Sequence, residues 1–382
     1  MNTRAEKVLA PGHRLAVTTL LVTLAAAAHA AHPAAAQSTD GRLSVHGFLT
    51  QAYGRTDGHQ VLGITSEGTS DYRVAALQFR FDADPENAFV LQFSHERLGR
   101  SPLSEVEPEV DLDWVFYERR FGEHTVVRVG KVRTPLGLFN EIRDVGTLLA
   151  LYRAPVSVYG EQVYASETVN GAMVGRRIPL GTWALDVDAF YGSWDFVQYD
   201  LATYAHVDGG YGGQVWINAP IDGLRAGAGH LRYTVGNLVN APADAEDDHV
   251  AWIASLEGNF TRLSVRSELF HASFGETDLG YIGKAERYYV QAVVNVTDWL
   301  GVVGQAEFED LRLDVSGPFG FSFDGNENRD LAVGVRYAPA PNLAVKLEGH
   351  AFRGYRIEDG ALPYGAPRAR AKYALLSVST SF

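Results

Sequence analysis

The chain closes on Tyr373-Ala374-Leu375-Leu376-Ser377-Val378-Ser379-Thr380-Ser381-Phe382. Ala374, Leu376, Val378, Thr380 and Phe382 share one parity; Ser377, Ser379 and Ser381 share the other. Side chains alternate faces along a strand, so this stretch reads as a β-strand with one largely apolar face and one small, polar face. The same period recurs upstream. Leu77, Phe79 and Phe81 alternate with Gln78, Arg80 and Asp82, and Phe89, Leu91 and Phe93 alternate with Val90, Gln92 and Ser94. Trp183, Leu185 and Val187 alternate with Asp186 and Asp188; Leu331, Val333, Val335 and Tyr337 with Asp330 and Arg336; Leu343, Val345 and Leu347 with Lys346, Glu348 and His350. Such runs argue half-buried strands rather than helices.

Connections alternate too. Short turns fall at 84–87, 122–124, 178–181, 219–223, 258–259, 297–298 and 339–342, with the Gly, Pro, Asn and Asp chemistry of tight turns. Longer segments lie near 54–70, 98–108, 134–164, 193–208, 236–248, 275–283, 313–327 and 354–368. Seven turns and eight loops join sixteen strands, with both ends on the short-turn side. Aromatic residues sit at strand ends: Tyr53, Tyr72, Trp114, Phe121, Tyr191, Trp252, Trp299, Tyr337 and Tyr373. An all-β, transmembrane antiparallel barrel of sixteen strands is expected, with an interfacial aromatic girdle. A terminal strand stopping on Phe382 resembles the closing strand of bacterial outer-membrane barrels. That resemblance implies recognition of this end by the barrel-insertion machinery.

At the other end, Arg4, Lys7 and Arg14 precede an apolar run from Leu15 to Leu24, then Ala25–Ala28. Ala34-Ala35-Ala36 and Ala28-His29-Ala30 offer cleavage sites. Residues 1–36 read as a signal peptide, and 37–382 as one barrel domain. The apolar run is shorter than the ~20 residues a membrane anchor needs. The leader carries three basic residues and one acidic, so its removal takes the net charge from −13 to −15. That balance argues against a nucleic-acid partner. The chain has no Cys, so disulfides cannot staple it.

The longest connection runs from Thr134-Pro135-Leu136-Gly137 to Glu161 and is unusually apolar, with Leu148, Leu149, Leu151 and Tyr152 together. A long loop of that composition is expected to pack against something, such as the inside wall. In general bacterial porins the third external loop, after strand five, folds into the lumen, and 134–164 stands at that place. Gly130-Lys131-Val132-Arg133-Thr134-Pro135-Leu136-Gly137 also resembles a motif of the group that includes phosphate-selective porins. This chain departs from them in its scarcity of Lys. The resemblance implies a trimeric outer-membrane assembly surrounded by lipid and lipopolysaccharide, with 134–164 as constriction.

Candidate constriction charges are Arg128, Lys131, Arg133, Glu141, Arg143, Asp144, Arg153 and Glu161. Opposed charges at a pore neck select by size and charge. Arg128 lies on the opposite parity from Lys131 and Arg133, so either a bulge at Gly130 turns the strand or one set has left the membrane. Candidate lumen-wall residues include Arg80, Asp82, Asp111, Asp113, Arg119, Arg266, Glu268 and Arg336. Acids outnumber bases on the polar parity as a whole, which favours cations; equally, any water-filled lumen needs polar walls.

Two constellations invite an enzyme reading. Asp111-Leu112-Asp113 and Asp247-Asp248-His249 resemble the carboxylate and Asp/His pairs of omptin rim proteases, which have fewer strands. Asp324-Gly325-Asn326-Glu327-Asn328 opens like a calcium loop, but Arg329 and Val335 stand where the turn glycine and closing carboxylate belong. No catalytic residue, metal site or cofactor is expected. The expected function is passive diffusion of small hydrophilic solutes and ions. Alternatives are a substrate-selective channel for an organic acid or another anion such as phosphate, or a barrel adhesin, receptor or omptin-like rim protease.

Overall fold

The computed structural model describes residues 36–37, 41–102, 109–160, 167–198, 203–236, 247–276, 280–315, 321–359 and 368–382. Nearly all of the expected signal peptide lies outside the described residues, as do Glu161, Asp244 and Glu246. Sixteen long strands follow in order: β1 Leu43–Thr56, β2 Thr69–Asp82, β3 Asn87–Leu98, β4 Asp111–Phe121, β5 Thr125–Arg133, β6 Thr168–Leu180, β7 Trp183–Gln198 and β8 Thr203–Asn218. The second half comprises β9 Leu224–Gly236, β10 Asp247–Asn259, β11 Leu263–Glu276, β12 Tyr281–Asn295, β13 Leu300–Val315, β14 Phe321–Ala340, β15 Leu343–Gly354 and β16 Ala369–Ser381. Each pairs antiparallel with its chain neighbours, and β16 pairs with β1, as in Leu376 opposite Tyr53 and Ser379 opposite Thr50. The ring is closed. Closure satisfies the strand backbone within the sheet, which is what allows strands to cross hydrocarbon.

Alternation decides what faces where. On β14, Leu331 and Val333 are 61% and 66% exposed while Ala332 between them is 3%. On β15, Leu347 is exposed, and Lys346 and Glu348 beside it are buried. The apolar parity faces outward and the polar parity inward, the reverse of a water-soluble core.

Several expectations change. Three loops shrink because their hairpins run on: β7 and β8 into 193–208, β11 and β12 into 275–283, β13 and β14 into 313–327. Asp324–Asn328 therefore belongs to β14, with Asp324 opposite Arg312 and Asn328 opposite Glu309. Its turn-like composition yields to a ladder that pairs the backbone groups.

The girdle also divides. Phe121, Tyr191, Trp252, Trp299 and Tyr337 are exposed outward, but Tyr72, Trp114 and Tyr373 are buried. Arg119, expected on the lumen wall, shares the outward parity of Val115 and Tyr117. It lies at the short-turn rim, 3.9 Å from Glu86 and over the Phe121 ring at 5.1 Å.

No bulge occurs at Gly130, since β5 keeps register with β4 from Thr125 to Lys131 and with β6 from Thr125 to Arg133. The register shift is on β4, where Gln92 pairs with Trp114 and Phe93 with Leu112, leaving Asp113 as the extra residue. Gly130 instead has φ +133°, and a Cβ there would come 2.3 Å from the Val115 carbonyl. Only glycine fits that approach.

Candidate functional site

The segment from Thr134 to Gly160 begins at an ionic knot. Arg133, at the end of β5, is 6% exposed. Its guanidinium donates to Asp144 Oδ2 (2.6 Å), the Asn140 carbonyl (2.7 Å) and Glu167, lies 3.6 Å from Asp113, and stacks 4.2 Å over Trp114. Arg143 pairs with Glu167 at 2.9 Å. The bulge at Asp113 brings that carboxylate to the side where Arg133 lies. A planar fork of donors suits such multidentate capture.

Two guanidiniums face three carboxyl groups here, so full ionisation would leave a net negative charge under cover. Burial pushes the Glu167 carboxyl up to about 8, with Asp144 and Asp113 adding to the rise against Arg133 and Arg143. Burial also opposes ionisation of Asp144, but Arg133 and Arg143 outweigh it and hold that carboxyl below the usual range. Glu167 is thus the carboxyl that keeps a proton. Unfolded, it would release that proton near the ordinary 4.5. Its contribution to stability is therefore complete in acid and lost as pH rises from about 4.5 to about 8. Glu167→Gln, which cannot ionise, should gain on the native protein through that window by on the order of 1 kcal/mol per pH unit. Melting temperatures in detergent across the window check this; parallel curves for the two proteins would refute it.

From the knot the segment crosses the inner face of the barrel. Gly146 rests on the Thr50–Ser379 hydroxyl pair; a Cβ there would meet the two oxygens at 2.2 and 2.4 Å. Thr147 Oγ1 donates to Ser381 Oγ (3.3 Å), and Arg336 on β14 donates to the Thr147 carbonyl (3.1 Å). Lys346 on β15 donates to the Leu151 carbonyl (2.7 Å), and the Tyr152 N–H donates to Glu348 (2.8 Å). A single-turn helix, α1 Val156–Tyr159, follows. The Ser157 N–H donates to Glu307 on β13 (2.6 Å). Glu268 on β11 accepts from Tyr159 Oη, Tyr289 Oη (2.8 Å), Ser255 Oγ (2.5 Å) and the Leu138 N–H (2.9 Å).

Apolar contact reinforces these bonds. Leu136, Leu138, Phe139, Leu149, Val158 and Tyr159 form one buried cluster with inward residues of β5 to β12, among them Met173, Phe190, Trp216, Leu231, Ile253 and Phe270. Leu148 is the exception to the expected apolar group, at 55% exposed. Burying one large side chain is worth roughly 1.5–3 kcal/mol, so the cluster, more than any single bond, holds the segment down.

The remaining candidates are dispersed. Arg153 lies over the rings of Tyr72 (5.1 Å) and Tyr152 (5.9 Å). Glu141 is exposed. Lys131 donates to the Leu112 carbonyl (2.5 Å) and lies 3.6 Å from the largely exposed Asp111, away from Arg128. Arg128 instead joins a ladder. Glu118 accepts from Arg128 (3.0 Å), Arg80 (3.1 Å) and Arg120 (3.1 Å), while Arg80 also holds Asp82 at 2.9 Å. A second ladder sets Glu257 between Arg225 and Arg266, both at 2.8 Å. A third sets Glu309 between Arg287 (2.8 Å) and Arg356. The two carboxylate pairs of the protease reading are not brought together: β4 and β10 stand six strands apart in the ring, Asp113 holds Gln92 and Arg133, and His249 pairs with Asp247 at 3.0 Å.

A second inward element was not anticipated. Val61 and Ile64 in the first long connection are buried with Tyr72, Leu98, Tyr152, Phe352 and Tyr373. Glu358, from the last connection, accepts from Gln60 (3.2 Å) and the Gly63 N–H. The apolar run Val61-Leu62-Gly63-Ile64 inside a polar loop was the available signal.

No protein-family profile matches the chain, and no curated protein matches it in sequence. Solved structures do. An anion-selective porin from Comamonas acidovorans superposes with a TM-score of 0.57 at 12% identity, over 89% of this chain and 99% of that one. The outer membrane channel DcaP of Acinetobacter baumannii gives 0.56 at 9% identity, over 91% and 99%. The trimer form of OmpT, an outer membrane protein of Vibrio cholerae, gives 0.57 at 12% identity, over 89% and 99%. At such identities the likeness is one of fold: the chain has the closed sixteen-stranded barrel of outer-membrane porins.

Proposed function

We propose that the protein is an outer-membrane porin through which small hydrophilic solutes and ions diffuse passively. The observation that carries this reading is the segment from Thr134 to Gly160, bonded to the inward faces of β11, β13, β14 and β15. A segment in that position narrows a lumen without sealing the ring from outside. In this reading, residues 1–36 are cleaved on export, Phe382 addresses the chain to the insertion machinery, and lipid and lipopolysaccharide surround a homotrimer. The fold likeness to a protein known in a trimer form supports the assembly. Stepwise conductance of purified protein in planar bilayers tests the channel; a silent bilayer at every protein concentration refutes it.

The charge ladders favour a second, narrower reading, in which the lumen prefers anions. Glu118, Glu257 and Glu309 are each shared by two or more guanidinium groups. An acid-rich wall paired in this way presents local positive excess, so the excess of acids in the sequence does not translate into cation preference. Glu118→Gln with Glu257→Gln removes the shared acid from two ladders. The reversal potential in a salt gradient should move further toward anions. A shift toward cations would count against the anion reading.

A further inference from the structure

We propose that the outward face of β2 to β5 holds one anionic glycerophospholipid, with an acyl chain in a groove and the phosphate at Arg119. This goes beyond the channel reading and does not depend on conduction. Two rows of side chains build the groove across four strands. Phe81, Phe89, Tyr117 and Val129 stand opposite one another in the first, and Phe79, Leu91 and Val115 in the second. The volume between them is about 400 Å³, within the ~300–1,000 Å³ of small-molecule sites. Val115 and Val129 are short, and the aromatic rings around them stand taller. The concavity therefore follows from two valines set among phenylalanines and a tyrosine. Phe89 and Tyr117 hold one another at 5.3 Å between ring centres, and Tyr117 Oη donates to Asn87. Walls already fixed in place lose little freedom when a ligand arrives.

Two basic residues mark the short-turn end. Arg119 follows Tyr117 on the same face of β4; its side chain is 47% exposed and lies 3.9 Å from Glu86, beyond hydrogen-bond range. Arg176 of β6 is exposed one row nearer the rim, in line with Phe121 and Thr125. Short turns of such barrels face the periplasm. These guanidiniums therefore lie at the headgroups of the phospholipid leaflet, not of the lipopolysaccharide one. A planar fork of donors suits a phosphodiester. At the opposite corner Lys131 is spent on the Leu112 carbonyl and lies 3.6 Å from Asp111, so the free attraction is on the Arg119 side. The rows cross three strand spacings, roughly 14 Å. Strands tilted by about 35–45° carry that line obliquely into the bilayer. The outer wall of a second barrel is convex like this one, and would bridge the rings without reaching the valine floor. A flexible chain reaches it, and each methylene it buries adds to binding.

The test is native mass spectrometry of the full chain, released from mixed micelles that offer palmitoyl-oleoyl phosphatidylglycerol and phosphatidylethanolamine in equal amounts. The native protein should keep one phosphatidylglycerol per chain after the loosely held lipid is stripped. Val115→Trp with Val129→Trp fills the floor and should lower retention at least about tenfold, the equivalent of two buried methylenes. Both substitutions face lipid, where apolar side chains belong. Arg119→Gln leaves the groove intact and should lower the preference for phosphatidylglycerol over phosphatidylethanolamine about fivefold, as for one basic group at an anionic surface. Val333→Trp, on the outward face of β14, should keep lipid as the native protein does. A native protein stripped bare, full retention in the filled variant, an equal loss in Val333→Trp, or an unchanged preference in Arg119→Gln overturns the proposal. So does a filled variant that falls into smaller assemblies than the native protein, because the groove would then be a contact between copies. A silent bilayer with the lipid retained refutes the channel reading alone.

Discussion

Arg133→Ala should cost about 3–5 kcal/mol, the range for breaking a buried ion pair from one side. The side chain is the common partner of Asp113, Asp144 and Glu167 and also holds the Asn140 carbonyl and the Trp114 face. Its loss strands carboxyl groups under cover with only Arg143 left to share. Arg133→Lys keeps the charge but not the fork, and should recover less than half of the loss. Unfolding midpoints in denaturant, measured in detergent, give the comparison. An alanine variant within about 0.5 kcal/mol of native, the range of ordinary surface substitutions, would show that the knot is ornamental. Because the knot anchors both ends of the segment, the variant should also lose resistance to proteolysis between residues 134 and 167 before the barrel itself yields.

Phe139→Ala should be comparably severe but differently distributed. The ring is 1% exposed and lies edge-on to Tyr159 (5.6 Å) and tilted against Tyr289 (6.1 Å). Truncating a buried phenylalanine typically costs about 3–5 kcal/mol through lost contacts and the cavity left behind. Here the lost contacts join segment to wall, not strand to strand. The barrel ladder should therefore survive while docking fails. Single-channel current should rise and become noisy, and proteolysis should open the segment, with the main unfolding midpoint shifted far less than in Arg133→Ala. A quiet channel with native current would show that the cluster around Phe139 does not hold the segment in place.

What the sequence made legible follows from the range of the interactions. Outward parity on β14 and β15 was readable from Leu331, Val333 and Leu347 because alternation is local. The strand count was readable because turns are local as well. The bulge at Asp113 is not legible, since Asp111-Leu112-Asp113 looks like regular alternation and only the opposite strand reveals the extra residue. Tyr72, Trp114 and Tyr373 read as girdle aromatics in the sequence because strand-end position does not tell inside from outside. Glu268, Glu307 and Glu348 were visible as wall acids, but their partners in the segment lie more than a hundred residues away, beyond any local pattern. Arg133, Arg143 and Asp144 were named as charges of the neck; that they form one knot with Asp113 and Glu167 required the fold.

The small polar face of β16 has a consequence for the order of assembly. Ser379 is paired with Thr50 of β1, and Gly146 stacks on that pair, with Thr147 reaching Ser381 beside it. The resting place of the segment is thus made of residues from opposite ends of the chain and does not exist until the seam is sealed. A barrel still open at β1 and β16 has nowhere to lay residues 146–147. Docking of residues 146–147 is therefore a late event in the life of the molecule, postponed until β16 has found β1.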